Sequence, residues 1–494
     1  PHLFKARERA PADESIWWML RASLLRLGRH EDALADFLRF EPYPARAARR
    51  MGGVQREERA VAAALSYPYA RGDSELVAEA VGHMQYHDVS RESLLELYRT
   101  YDRVVRAELE AAGDALPLAP MTPRKIANDD RRIRIGYLSA DFRQHVMGEI
   151  LAPVLALHDR SRFEIRLYSI APAANEDALT ERLRVAADDF VCLSDDDDPA
   201  AARKIAADDL DLLVELMAHS AYSRPGIMAR KPARVVATHL GSHGALGLAS
   251  VDYKITDAVA DVPENAAFQL EALLPLSVCV LPLRAFREPI ARTSRAELGI
   301  APDAIVCATF VAAQKLSPRC LALWREFLAA VPKAMLLFSP QRDDDRTALG
   351  RRLEGFGIAA SRVHFIAYEM QSLHDRYALA DLALDTLPYS GGDTTVAALS
   401  AGVPVATRIG SRHAERMSAS ILVHAGLNAL VADSDQRYVE LAIRLATDCA
   451  FRSAQRDAIR LALARSALTD PAVYAHALET AYIRALTEKH LQPF

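Results

Sequence analysis

The feature that most constrains this chain is an alternation of short β-like runs and helical stretches that begins at Arg132. Arg132-Ile133-Arg134-Ile135-Gly136-Tyr137-Leu138-Ser139 is the first run, followed by Phe163–Ser169, Leu210–Leu216, Val235–Leu240 and Tyr253–Asp257. Helical stretches such as Glu176–Ala187 and Ala200–Ala207 fall between several of them. This order predicts a parallel sheet with helices on both faces. A second series follows Arg292, with runs at Ala304–Phe310, Ala334–Phe338, Val363–Ile366, Leu382–Leu384 and Val403–Thr407. Its helices are of the Leu321–Ala330 and Tyr438–Leu445 kind. Two series mean two doubly wound, Rossmann-like α/β lobes. Facing each other, such lobes leave a cleft at the carboxyl ends of their strands, where polar ligands bind.

The first part of the chain reads as all-α. Apolar side chains recur at helical spacing on both sides of Gly28 in the Trp17–Pro42 segment, with an Ala33-x3-Phe37 step and a closing proline. That pattern looks like one tetratricopeptide unit, and helical pairs of this kind must stack on neighbours to bury their faces. Glu75–Leu109 is helical without a second clear match, and Pro117, Pro120 and Pro123 punctuate a linker. A chain of 494 residues exceeds what one core can serve. The expected organisation is a TPR-like helical domain over 1–125, an N-terminal Rossmann-like lobe over 126–290 and a C-terminal Rossmann-like lobe with terminal helices over 291–494.

Composition removes several classes of function. Lys and Arg number 60 against 65 Asp and Glu, a formal charge of −5, so the basic excess of a nucleic-acid binder is missing. The longest apolar run, Leu273–Leu283, is broken by Pro275 and Pro282 and is too short to span a bilayer. No charged-then-apolar leader opens the sequence. Five scattered cysteines without ligand spacing read as reduced, buried thiols of a cytoplasmic protein. No His-Glu-x-x-His or Cys-x-x-Cys arrangement argues for a metal.

The most informative segment is Leu384-Asp385-Thr386-Leu387-Pro388-Tyr389-Ser390-Gly391-Gly392-Asp393-Thr394-Thr395. A strand ends, Gly391 and Gly392 turn the chain, and Thr394 and Thr395 open a helix whose unpaired N–H groups suit a diphosphate. An alternative is that Asp393 and Thr394 only cap that helix. Lys315 follows the strand ending at Phe310 and could offset charge on a phosphate leaving group; it could equally be a surface lysine. His145 lies just after the first strand, at the cleft mouth, with a pKa range suited to general acid–base work. His219 ends the third run, and His239, His243, His374 and His413 lie in or beside cleft loops.

Taken together, these segments resemble the protein O-GlcNAc transferase and SPINDLY-like family, glycosyltransferases of the family 41 type with the two-lobed GT-B fold. The resemblance covers Arg131–Asp448 in order. It is carried by Arg134–His145, Asp211–Pro232 with His219, and Leu240-Gly241 through Asp252-Tyr253-x-Ile255-Thr256-Asp257. Lys315-Leu316-Ser317-Pro318, Leu384–Pro404 and Gly426-Leu427 complete it. It implies inverting, metal-independent transfer of a sugar from a UDP-sugar to Ser or Thr of a polypeptide acceptor. No cofactor is implied, and the donor is UDP-GlcNAc or UDP-glucose. His145 would act as base or positioning group near the acceptor. Lys315 would hold the diphosphate and help its departure. Gly391, Gly392, Asp393, Thr394, Thr395, His219 and His374 would bind the nucleotide-sugar, with His374 on the uracil. The helical domain would be the seat of any homo-oligomer. Two other readings stand beside this one: an asparagine N-glycosyltransferase using UDP-glucose or UDP-galactose, and a non-catalytic scaffold on the same fold. The scaffold reading draws on departures from the family pattern, above all the carboxylate of Asp393 at the phosphate site and Ala397 where an acidic residue is expected.

Overall fold

The computed structural model describes residues 74–113, 116–118, 131–220, 222–340, 343–368, 372–464 and 467–491. The TPR-like unit at Trp17–Pro42 lies outside the described residues. The described helical segment is a pair, α1 (Ser74–Met84) and α2 (Arg91–Ala111). Ser90 caps α2, its side chain accepting from Ser93 N, and buried Leu94, Leu97, Tyr101 and Val105 share one face at helical spacing. That face packs into one cluster with Leu213, Met217, Ile227 and Leu246 of the first lobe. Each large apolar side chain so buried contributes about 1.5–3 kcal/mol. Ala249 N donates to Asp102 Oδ1 of α2 at 2.8 Å. The helical segment is thereby fixed to the lobe that follows.

The first lobe is a seven-stranded parallel sheet ordered β3-β2-β1-β4-β5-β6-β7. Its strands are β1 (Ile133–Ser139), β2 (Phe163–Ser169), β3 (Asp189–Cys192), β4 (Leu212–Glu215), β5 (Val235–Thr238), β6 (Tyr253–Asp257) and β7 (Ala272–Leu276). Central β1 pairs with β2 from Ile133↔Phe163 to Ser139↔Ser169 and with β4 on its other side. At its centre a Cβ on Gly136 would sit 2.5 Å from Leu210 Cδ1, so the helix-covered face closes only over glycine. Helices α3 (Val146–Ala156), α4 (Ala178–Ala186), α5 (Asp198–Ala207) and α6 (Pro225–Ala229) complete the lobe.

The second lobe repeats the scheme with six parallel strands in the order β10-β9-β8-β11-β12-β13. These are β8 (Ile305–Ala308), β9 (Ala334–Phe338), β10 (Val363–Phe365), β11 (Leu382–Leu384), β12 (Val405–Arg408) and β13 (Val431–Ala432). The order reverses between β8 and β11, the position at which such sheets open a ligand crevice. Its helices are α7 (Pro318–Ala330), α8 (Asp343–Gly355), α9 (Leu373–Arg376), α10 (Asp393–Ser400), α11 (Met417–His424), α12 (Asp435–Thr447) and α13 (Cys449–Ala462). Trp324 Nε1 of α7 donates to Tyr438 Oη of α12 at 2.9 Å, and Tyr438 Oη in turn donates to the Asp385 carbonyl at 2.9 Å.

The final helix, α14 (Pro471–Leu491), falls in the segment grouped by sequence with the second lobe, yet it packs on the first. Tyr474, Leu478 and Tyr482 join the cluster of Ile135, Leu151 and Val214. A buried polar chain fastens it: Tyr482 Oη to Tyr137 Oη at 2.9 Å, Tyr137 Oη to His158 Nε2 at 2.9 Å, and His158 Nδ1 to Glu479 Oε1 at 3.0 Å. Among the described residues no helix is long and apolar enough to cross a membrane. All five cysteines are free, but only Cys279, Cys307 and Cys320 are buried. Cys192, at the end of edge strand β3, and Cys449, opening α13, are exposed, which corrects the expectation of uniformly buried thiols.

Candidate active site

The loop from β11 into α10 is built around Asp385. Its Oδ1 accepts from Thr386 N at 2.9 Å and Gly391 N at 2.7 Å, and its Oδ2 accepts from Thr407 Oγ1 at 2.5 Å. Ser418 Oγ donates to the Gly391 carbonyl at 2.9 Å and shares a 2.7 Å bond with Thr395 Oγ1. A Cβ on Gly391 would lie 2.4 Å from Thr395 Oγ1, so the turn requires glycine. Gly392 is the N-cap of α10 and offers no side-chain acceptor; its carbonyl accepts from Thr395 N at 3.0 Å, which leaves the Asp393 and Thr394 N–H groups for a ligand. Asp393 does not cap the helix. Its carboxylate is turned onto the guanidinium of Arg284, from the connector between the lobes. The charge that seemed to oppose a diphosphate is therefore already matched.

Lys315 closes a 3₁₀ turn, Ala313–Lys315, just before Ser317 caps α7. Its Nζ lies 4.7 Å from the centre of the Tyr389 ring, within cation–π range. Tyr389 also stacks on Tyr86, with ring centres 4.6 Å apart, and on His243, 4.5 Å away and nearly parallel at 7°. Burial pulls the Lys315 ammonium below its ordinary pKa against the opposing pull of the Asp385 and Asp393 carboxylates. Burial, with Lys315 nearby, pushes His243 well below its usual value, so it stays a neutral imidazole. A Cβ on Gly392 would come 2.9 Å from His243 Nε2; this is where the first lobe touches the turn of the second.

The other histidines occupy distinct places. His145 is the N-cap of α3, its Nδ1 3.3 Å from both Met147 N and Asp141 Oδ2, with 41% of its side chain exposed. His219 donates from Nε2 to the Leu246 carbonyl at 2.8 Å and meets Tyr101 of α2 edge-on at 5.3 Å. Burial pushes it down to about 4, so it is neutral at physiological pH. His374 bonds through Nδ1 to Ser400 Oγ at 2.9 Å. Ser400 ends α10, about 10 Å along the helix from Asp393 at 1.5 Å per residue. The structure thus gathers Lys315, Gly391, Gly392, Asp393, Thr394 and Thr395 at one helix start, and holds His374 at the opposite end of that helix.

Residues 118–276 and 284–478 match the profile of Glycosyl transferase family 41. The chain belongs to glycosyl transferase family 41. Its curated relatives include proteins named "Probable UDP-N-acetylglucosamine--peptide N-acetylglucosaminyltransferase SPINDLY". The one from Arabidopsis thaliana is 33% identical over 373 residues, 72% of this chain and 40% of that protein. The one from Petunia hybrida is 32% identical over 370 residues, 72% of this chain and 38% of that protein. The chain therefore spans well under half the length of these relatives. Among solved structures, a mutant of the Thermobaculum terrenum O-GlcNAc transferase superposes with a TM-score of 0.81 and 28% identity, over 99% of this chain and 87% of the other.

In this family 41 chain a cavity of about 330 Å³ lies beside the Arg284–Asp393 pair, lined by Glu149 and Ile150 of α3, Cys279 and Arg284 of the connector, and His424. Asp257, Cys279 and His424 bring potential metal ligands within 4.8 Å of one another. The Asp257 oxygens are already engaged by Val259 N, Ala260 N, Val280 N and Ser420 Oγ at 2.6–2.8 Å, and burial pushes the Cys279 thiol up to about 12. That donor set serves hydrogen bonding. Arg284, Tyr86 and the stacking role of His243 escaped the sequence reading. The available signal for Arg284 was electrostatic: a carboxylate at an anion site demands a cation somewhere in the chain.

Proposed function

We propose that this chain is an inverting, metal-independent protein glycosyltransferase that moves GlcNAc from UDP-GlcNAc to a Ser or Thr hydroxyl. The observation that carries the reading is Lys315 set beside a helix start whose Asp393 and Thr394 N–H groups are uncapped and whose one carboxylate is paired with Arg284. The hydroxyl oxygen attacks C1 of the sugar as the bond from C1 to the diphosphate oxygen breaks, and the electron pair leaves with UDP. Charge grows on that oxygen, where a fixed ammonium and helix N–H groups do what a metal does elsewhere. The hydroxyl proton passes to a base, for which half-exposed His145 is the candidate. The names of the plant relatives support UDP-GlcNAc as donor and a peptide as acceptor, and the tetratricopeptide-like sequence at Trp17–Pro42 suits a polypeptide partner. Calorimetric titration with UDP, UDP-GlcNAc, UDP-glucose and ADP tests the donor. Micromolar binding, about −8 kcal/mol, with preference for UDP-GlcNAc is expected, and a folded chain that binds none of the uridine nucleotides refutes the assignment.

A further inference from the structure

On the far side of His243 from Tyr389 lies a second cavity, small at about 40 Å³, where the helical segment, the first lobe and the second lobe meet. Arg91 of α2, Lys254 of β6, Arg412 and His413 line it, together with Asp261 and Gln269. Asp261 is fully committed. Lys254 Nζ lies 2.9 Å from its Oδ2, His413 Nδ1 2.7 Å and Thr256 Oγ1 2.9 Å, while Asn265 donates to Oδ1 at 3.0 Å. Burial would raise this carboxyl, but Lys254 and His413 outweigh it and hold it ionised.

Two guanidinium groups are only partly matched. Arg412 is only 4% exposed; its Nη2 donates to the His87 carbonyl at 2.9 Å and pairs with the Glu415 carboxylate at 3.6 Å. Its Nε and Nη1 have no partner among the described residues, nor has Nε2 of Gln269. Arg91 hydrogen-bonds the neutral Asn265 amide at 3.0 Å and stacks over Phe268 at 4.2 Å. Buried donors left unmatched cost about 1–3 kcal/mol each, more when charged. A net positive pocket in a chain of charge −5 is built to take an oxyanion. The volume admits one carboxylate-sized group and no sugar or nucleotide.

We propose that this cavity is a subsite for an acidic side chain of the acceptor polypeptide, read by Arg412 and Arg91. The proposal rests on the protein glycosyltransferase reading, since it places the carboxylate one imidazole away from the Tyr389–Lys315 pair and against the helical segment. The test is fluorescence polarisation of the full chain, with UDP present, against two degenerate serine-containing peptide pools that differ only by Glu/Asp or Gln/Asn at flanking positions. The acidic pool binds tighter by about tenfold or more, the scale of a desolvated charge pair. Arg412→Gln erases the preference and leaves UDP titration unchanged. If that variant fails to fold, partly buried Arg91→Gln reduces the preference in the same direction. Equal binding of the two pools, a preference that survives both substitutions, or stronger binding of inorganic phosphate than of the acidic pool overturns the subsite. The UDP titration in the same samples reports separately on the donor assignment: acidic-peptide binding without UDP binding sinks that assignment and not the subsite's chemistry.

Discussion

Two helix starts face the space between the lobes, and they are prepared differently. At the start of α10, glycine caps the helix, Asp385 and Ser418 pin the turn, and no side chain answers the first N–H groups. At the start of α3, His145 itself supplies the cap through Nδ1, and its side chain is half in solvent. One end is rigid and left open for an anion; the other is closed and ends in a titratable ring. Under the proposed reading, the contrast means that the donor half of the site is preorganised by the fold, while the acceptor half offers its chemistry on a loop.

The sharpest way to break this contrast is Lys315→Ala. Loss of a fixed charge at a developing oxyanion costs on the order of 10²–10³ in turnover, with thermal melting unchanged. Retained activity would remove the lysine from the chemistry. The pH profile refines the point: the ammonium is the working form and its pKa lies below the ordinary lysine value of 10.5. Turnover therefore falls as pH rises through that lowered value, and Lys315→Arg, charged at any accessible pH, shifts this alkaline limb upward.

The first-lobe side is tested by a pair of substitutions at His145. Both Ala and Asn remove the base and lower kcat by about 10²-fold, the lower range for general acid–base catalysis, without changing UDP affinity. Only Ala also removes the cap and costs about 1 kcal/mol of stability, because Asn still offers an acceptor to Met147 N. Equal kcat in wild type and Asn variant would make His145 a cap and nothing more.

The smallest effect concerns the counter-ion of Asp393. Arg284→Gln leaves the carboxylate unmatched at the phosphate site and weakens UDP binding by about tenfold, roughly 1.4 kcal/mol. Asp393→Asn in that background restores most of the loss, the signature of a coupled pair in a double-mutant cycle. Independent, additive effects would show that the pair does not shape the site.

Much of this architecture was legible in the sequence, for physical reasons. Strands buried on both faces read as dense apolar runs, and β1, β2, β4 and β8 stand out for that reason. The missed strands lie at or near sheet edges: β3 is largely exposed, β7 carries Pro275 where no partner needs its missing N–H, and β13 is two residues long. The turn at Gly391–Thr395 was legible because backbone geometry fixes its residue types locally. Arg284 was not, because its meaning lies in Asp393, 109 residues away. The periodicity of α14 reveals a helix but not the lobe it joins, which depends on Tyr482 finding Tyr137 across 345 residues.

That last helix has a mechanical consequence. The chain passes between the lobes twice, once through the connector that carries Arg284 and again through Ala467–Thr469 on the way to α14, and both passages border the 330 Å³ cavity. A body joined at one point can swing in any direction, whereas one joined at two turns about the line through them. The cavity is thus bordered on two sides by chain that belongs to both lobes. Parting the lobes would therefore strain both passages at once, and with them the Arg284–Asp393 pair that stands beside the first.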